Sequence, residues 1–351
     1  MKQSRTTTLL IGAAAIVIVI AGLRSAAGIV GPVVLALSIT IVFHPLRARL
    51  ERRLPVWAAS VVVLIAAYTL IVLMTLAMII SLGQLAALVP RYAPQINDLV
   101  AGAGDWLAAR GVGSDQVDAV SGAVDVSRLV DLATSVLSNV LSVLSDLFFI
   151  VTLLLFLAFD SAQVSRLLQN VHRHRPHLVD ALGSFARGTR SYLGVSAVFG
   201  LIVAVIDTAL LSLMGVPGAF VWGVLAFVTN FIPNIGFVIG IIPPAVVGLL
   251  EGGPALMLAV IVVYCVVNLV IQSIIQPRYV GNAVGLSTTL TFVSLIFWTW
   301  VLGPLGALLA VPMSLLVRAI LVEANPAAGW ILPLISGHPE DEPAHTVVEP
   351  A

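Results

Sequence analysis

The sequence predicts an all-α, polytopic membrane protein, and three observations carry that prediction. Sixty per cent of the 351 residues are hydrophobic and only 10% are charged, against roughly 45–50% and 25% in soluble domains. Apolar runs near the length of about 20 residues needed to cross a hydrocarbon core recur along the chain. Two further runs are too long for one crossing, and each is broken at its middle by proline and glycine. The whole reads as about six full spans plus two re-entrant helical hairpins, or as eight spans. The two hairpins suggest an inverted repeat in the carboxy-terminal half. This composition excludes a soluble enzyme, a disordered chain and a disulfide scaffold. Lys+Arg 17 balance Asp+Glu 17, so no basic excess is left to neutralise phosphates and nucleic acid is not an expected partner. Cys265 is the single cysteine, which rules out an intrachain disulfide.

In chain order, the spans expected in residues 1–80 are Leu9–Leu23, Ile29–Phe43 and Trp57–Ile80. The first, with Lys2 and Arg5 ahead of it, would pass for a signal peptide alone; the second run so soon after it argues that both are retained. Residues 81–142 form the one sizeable non-membrane segment. Gln84–Val100 within it is helix-like, with Pro90 and Pro94 expected to interrupt it. Beyond a glycine-rich stretch, Asp125 or Ser127 is a candidate cap for a helix whose stripe runs Leu129, Ala133, Val136, Leu137, Val140 and Leu144. That stripe suits a packing or oligomer-forming arm, or else an external gate.

Residues 143–192 hold the fourth span, Val143–Phe159, and a basic linker with His172, His174 and His177. A solvated basic loop explains those histidines better than a zinc cluster does. Residues 193–321 contain Leu193–Met214, Ala219–Leu250, Ala255–Ile275 and Leu286–Val317, and form the expected transport core. Residues 322–351 are an acidic, proline-containing tail, expected to be cytoplasmic and disordered at its end.

Arginines set the orientation. Arg47, Arg49, Arg52 and Arg53 follow the second span, and Arg166, Arg173, Arg175, Arg187 and Arg190 follow the fourth. The positive-inside rule makes both loops cytoplasmic. Asp98, Asp105, Asp115, Asp118, Asp125 and Asp131 mark residues 81–142 as external. Both termini are then expected in the cytoplasm of a bacterial inner membrane.

The two broken runs are the most informative feature. The first reads Phe231-Ile232-Pro233-Asn234-Ile235-Gly236, then Ile242-Pro243-Pro244; the second reads Val301-Leu302-Gly303-Pro304-Leu305-Gly306, then Val311-Pro312. A helix of 32 residues would be about 48 Å long, well beyond a core of about 30 Å. Two half-helices folded back as a hairpin fit better, and they leave Glu251 outside and Arg278 and Arg318 inside. Leu193–Leu250 then becomes one crossing plus a hairpin, and Ala255–Leu321 repeats that unit inverted. Inverted repeats with matched breaks point to the binding site of a secondary transporter; proline and glycine common to membrane helices are the plainer explanation.

Within the spans one carboxylate stands out. Asp207 lies inside Leu193–Met214, and an intramembrane acid is a functional candidate by default. It suits a proton or cation coupling site, unless it sits near the external interface or stays protonated by burial. Asn268, Gln272 and Gln276 repeat every four residues and so share a helical face; Asn230 and Asn234 share another at the first break. Such amides suit a polar solute or a monovalent cation, or serve as interhelical glue worth about 0.6–2 kcal/mol each. Candidate pathway residues are therefore Asn230, Pro233, Asn234, Gly236, Asn268, Gln272, Gln276, Gly303, Pro304 and Gly306, with Asp207 as the coupling residue. No phosphate loop, metal pair or nucleophile elbow is present, so no enzyme and no bound cofactor is expected beyond Na+ or H+ as coupling ion.

Several motifs in series resemble one family. They are Gly215-Val216-Pro217; Asn230 through Gly236; Ile242-Pro243-Pro244; Gln276 through Ser287, including Pro277, Arg278, Gly281 and Gly285; and Gly303 through Pro312. This stretch is similar to the autoinducer-2 exporter family of bacterial permeases. The resemblance implies an inner-membrane, homo-oligomeric transporter surrounded by lipid. Some relatives export the furanone autoinducer-2, and others are described as sodium (lithium)/proton antiporters. Asn282 stands where the family usually has a basic residue, and Asn234 where an aromatic is frequent. The expected function is export of a small polar solute with ion coupling. Cation/proton antiport and a non-transporting membrane scaffold are the alternatives.

Overall fold

The computed structural model describes residues 5–110, 149–157, 160, 164, 167–233, 235–276 and 285–336. The expectations for Asp125, Ser127 and the stripe from Leu129 fall outside the described residues, as do the ends of the fourth span. Its middle, residues 149–157, is helical. All regular elements among the described residues are helices. Five are long and apolar enough to cross a membrane: Ala27–Leu50, Val56–Ser81, Pro176–Leu213, Gly236–Ile275 and Pro304–Glu323. Leu10–Ser25, Ala219–Thr229 and Thr288–Leu302 are shorter apolar helices.

Helix α1 (Arg5–Ser25) and helix α2 (Ala27–Leu50) differ from the sequence reading. Residues 9–23 and 29–43 were expected as separate crossings joined by an outer turn. The joint is Ala26, whose φ of −96° and ψ of 16° leave the helical region for the neighbouring bridge region. Its N–H still donates to Gly22 O and its O still accepts from the Val30 N–H. One residue so near the helical region bends a helix without reversing it. Ile20, Leu23, Ala27, Val30 and Val34, at spacings of three and four, pack into the same cluster across the bend. The Arg24 guanidinium sits 4.4 Å above the Trp300 ring.

Helix α3 (Val56–Ala108) also departs from expectation, because it runs unbroken through Pro90 and Pro94. Its far end meets Glu251. Tyr92, 2% exposed, donates its hydroxyl to Glu251 Oε1 at 2.7 Å, and Arg91 lies 3.4 Å from the same oxygen. Burial first, then the hydrogen bond to Glu251 and that group's charge, push the Tyr92 phenol up from 10.0 to about 12. A folded-state value raised this way keeps the contact whole below pH 10 and loses it as pH climbs towards 12. Tyr92→Phe should lower stability by about 1.5–3 kcal/mol, the worth of a hydrogen bond to a charged group. Denaturant unfolding in detergent checks this; equal stability would show that the contact holds nothing.

Helix α4 (Pro176–Leu213) is the central post, packed against α2, α5, α6 and α8. Its first turns bury Ala181 and Phe185 against Val311, Leu315 and Ala319. Two hairpins lean on it. The first joins α5 (Ala219–Thr229) through residues 230–235 to α6 (Gly236–Asn268). Helix α6 is itself folded at Gly253, whose φ of 71° and ψ of −167° lie outside the helical region. A Cβ on Gly248 would lie 3.5 Å from the Met257 backbone, which two residues nine apart can reach only if the chain turns back. The turn at Gly253 thus carries Glu251, next to Arg91 and Tyr92. The second hairpin joins α7 (Thr288–Leu302) to α8 (Pro304–Arg318) at Gly303, φ 68°. Ser287 caps α7, its Oγ accepting the Leu290 N–H at 3.2 Å.

Both hairpins close by the same device. A Cβ at Gly236 would lie 1.9 Å from Thr229 O, and one at Gly306 would lie 1.8 Å from Trp298 O. A glycine in the second leg lets it press directly on a first-leg carbonyl. Leg lengths match half-spans: 11 residues in α5 give about 16 Å and 15 in α7 about 22 Å, short of the roughly 30 Å core. The tip of the first hairpin, at Ile232 and Ile235, packs against the Trp298, Leu302 and Leu309 cluster of the second.

Candidate functional site

The polar residues of the carboxy-terminal half meet in one place, between α4, α5 and the two arms of α6. Asp207 of α4 is fully buried, Thr229 4% exposed and Asn268 7% exposed. Together with Asn230, Tyr264 and Gln272 they line a cavity of about 10 Å³, measured as the space open to the centre of a water-sized sphere. That is room for about one water. Glycine makes the approach possible. A Cβ on Gly200 would lie 2.9 Å from Asn230 Nδ2, and one on Gly223 would lie 1.8 Å from Thr208 Oγ1 and 2.9 Å from Ala204 O.

Asn230 links two neighbouring helices, while Asn268 bonds back to its own helix. Asn230 Nδ2 donates to Ser196 O at 2.7 Å, and Gln272 Nε2 donates to Asn230 Oδ1 at 2.9 Å. Asn268 Nδ2 donates to Tyr264 O at 2.8 Å. Asn230 is the first residue past α5, so the break in the first run places its side chain between α4 and α6. Tyr192 reinforces the break by donating its hydroxyl to Phe231 O at 2.9 Å. The Phe231 carbonyl and the Asn230 amide at the interruption thus find protein partners, as hydrocarbon surroundings require. Asn230→Ala, Gln272→Ala and the double variant should give a coupling energy of about 0.6–1.7 kcal/mol in denaturant titrations. A coupling of zero would deny the bond.

Three buried polar atoms stand apart from these bonds. Neither carboxylate oxygen of Asp207 nor the Tyr264 hydroxyl has a hydrogen-bond partner among the described residues. Both residues line the same cavity. An unpartnered buried acid is costly.

Of the candidate residues, Asp207, Asn230, Asn268 and Gln272 line this cavity, and the other described candidates do not. Gln276 was expected on the Asn268–Gln272 face. The stretch Leu269–Ile275 is a π-helix, closed by the Gln276 N–H donating to Ile271 O. Its wider turn holds an extra residue and breaks the four-residue repeat, so Gln276 does not line the cavity. Pro233 lies in the break, where its carbonyl accepts the Ile235 N–H at 2.7 Å. Gly236, Gly303, Pro304 and Gly306 shape the hairpins and do not line the cavity. Gly285, at φ 54°, offers its carbonyl to the Arg318 guanidinium, which also pairs with Glu323 at 2.7 Å. Asn234, Pro277, Arg278 and Gly281 lie outside the described residues. Tyr264 and Thr229 were missed. Tyr264 precedes Asn268 by four residues, so extending the amide ladder one step back would have found it.

A much larger groove lies on another side of α5, between α3, α4 and α5. It has a volume of about 670 Å³, and Leu73, Met74, Leu201, Phe220 and Phe227 contribute to its walls, which are almost wholly apolar. Its walls match the hydrocarbon around a spanning helix, not a polar solute.

The chain matches the sequence profile described as AI-2E family transporter across residues 10–325. The AI-2 transport protein TqsA of Escherichia coli (strain K12) is 32% identical over 314 residues, which cover 87% of this chain and 89% of that protein. A protein of Haemophilus influenzae is 30% identical over 324 residues, 90% of this chain and 92% of its own length. YhhT of Escherichia coli (strain K12) is 28% identical over 311 residues, 87% and 88% of the two chains.

Proposed function

The chain belongs to the AI-2E transporter family, a multi-pass membrane transporter, and from that premise we propose that it is a secondary transporter whose transport is coupled to an ion at Asp207. One observation carries this reading: a fully buried carboxylate without a protein partner, set against a hairpin break inside the membrane. Such an acid can exchange charge for neutrality within one transport cycle, which is the elementary step of coupling. Asp207 shares its cavity with Asn230 and Gln272 at the broken segment, the kind of interruption that forms substrate and ion sites in such folds. The exported solute is small and polar. TqsA is named for AI-2 transport, which makes AI-2 the first solute to test.

A second reading has its own support. The cavity at Asp207 accommodates about one water, a volume that suits an ion and not an organic solute. Exchange of a monovalent cation for a proton would use the same parts. Liposomes holding the purified protein and a pH dye separate the two. Solute-dependent proton flux supports export coupled to protons, and sodium- or lithium-dependent proton flux supports antiport. No flux with AI-2, sodium or lithium, at either polarity of the pH gradient, would sink both.

A further inference from the structure

We propose that Asp207 and Tyr264 together hold a single buried water, and that this water is the proton-loading site of the transporter. Three observations converge on it. The Asp207 carboxylate is fully buried and accepts no hydrogen bond from the protein. The Tyr264 hydroxyl, on a side chain 1% exposed, donates none. Both residues line one cavity of about 10 Å³, and an occupied water site needs about that volume and two or more polar partners.

The chemistry of the partners selects the occupant. A phenol O–H must donate, and a carboxylate must accept. Water does both at once: its lone pair takes the Tyr264 O–H and its own O–H donates to Asp207. A sodium or lithium ion satisfies the carboxylate but carries no lone pair, so the Tyr264 O–H would stay unsatisfied at a cost of about 1–3 kcal/mol. The other polar wall groups are largely engaged. Thr229 donates to Ala226 O, Asn268 to Tyr264 O, and Asn230 and Gln272 bond each other. Tyr264 is the one other titratable side chain among the residues lining the cavity.

The proton balance is simple. When Asp207 takes up a proton, its new O–H donates to the same water, whose lone pair accepts it, and no second group gains or loses a proton. The water remains in place through loading and release, so the carboxyl always has a hydrogen-bonding neighbour. The water site stands on geometry alone; its loading role rests on the coupling proposed above.

Difference infrared spectroscopy tests the site without any transport. The full-length protein in lipid is perfused between acid and neutral buffers made in ordinary water and in water enriched in oxygen-18. The expected result is an O–H stretch that changes on acidification, shifts with the heavy oxygen, and vanishes in both Asp207→Asn and Tyr264→Phe. Tyr264→Phe should also move the protonated Asp207 carbonyl band to higher frequency, because that carboxyl loses the partner's water. Each substitution is close to isosteric, and melting temperature verifies the fold. The proposal is overturned if neither variant alters an oxygen-18-sensitive band, or if sodium at constant pH removes it. A confirmed band in a protein that shows no proton-coupled flux would refute the coupling while leaving the water site standing.

Discussion

Asp207→Asn reduces ion-coupled flux to that of protein-free liposomes while the protein still inserts and folds. Asparagine keeps the shape of the side chain, so packing among Val203, Ala226 and Phe237 is retained. It cannot change charge, so no proton or cation is carried through the cycle. Stability should stay level or rise, because a buried acid without protein partners is replaced by a neutral amide. That pattern, lost flux with unchanged or improved melting, separates a coupling role from a structural one. A variant with full coupled flux would remove Asp207 from the mechanism.

Gly306→Ala and Gly236→Ala damage the fold itself. In each case the new methyl meets a backbone carbonyl below 2 Å, Trp298 O or Thr229 O. Backbone in the facing leg cannot rotate aside as a flexible side chain would. The hairpin legs must separate, and the cost should reach or exceed the roughly 3 kcal/mol at the upper end of ordinary overpacking. Gly194→Ala is the matched control. It lies within α4 with nothing within 4 Å of the added carbon, and it should gain up to about 1 kcal/mol from helix propensity. Melting in detergent, followed by tryptophan fluorescence, should drop sharply for the first two and hold or rise for the third. Wild-type melting of Gly306→Ala would mean the legs are not in contact.

Much of this architecture is legible in the sequence because hydrocarbon punishes exceptions. A charge or a proline cluster inside an apolar run is conspicuous, so Asp207 and the two breaks announce themselves. Other features leave no such mark. Arg24-Ser25-Ala26 looks like a short loop, yet the backbone there only bends, since a polar residue between apolar runs does not specify a reversal. Pro90 and Pro94 were expected to stop α3, but a helix already committed on both sides passes through them. Tyr264 went unnoticed because tyrosine is ordinary in membrane helices and its significance lies in the partner its hydroxyl lacks. Gln276 was misplaced because the four-residue ladder presumes α geometry, and composition does not reveal a π turn.

That π turn has a mechanical meaning. The stretch Leu269–Ile275 carries one residue of slack just beyond Asn268 and around Gln272. Tightening it to α geometry lets out one residue at its far end, about 1.5 Å of travel and 100° of rotation. Gln276 would screw forward, while Tyr264 and Asn268, on the near side, would stay where they are. Slack stored beside a buried acid thus amounts to one turn step in reserve at the helix end that carries Gln276.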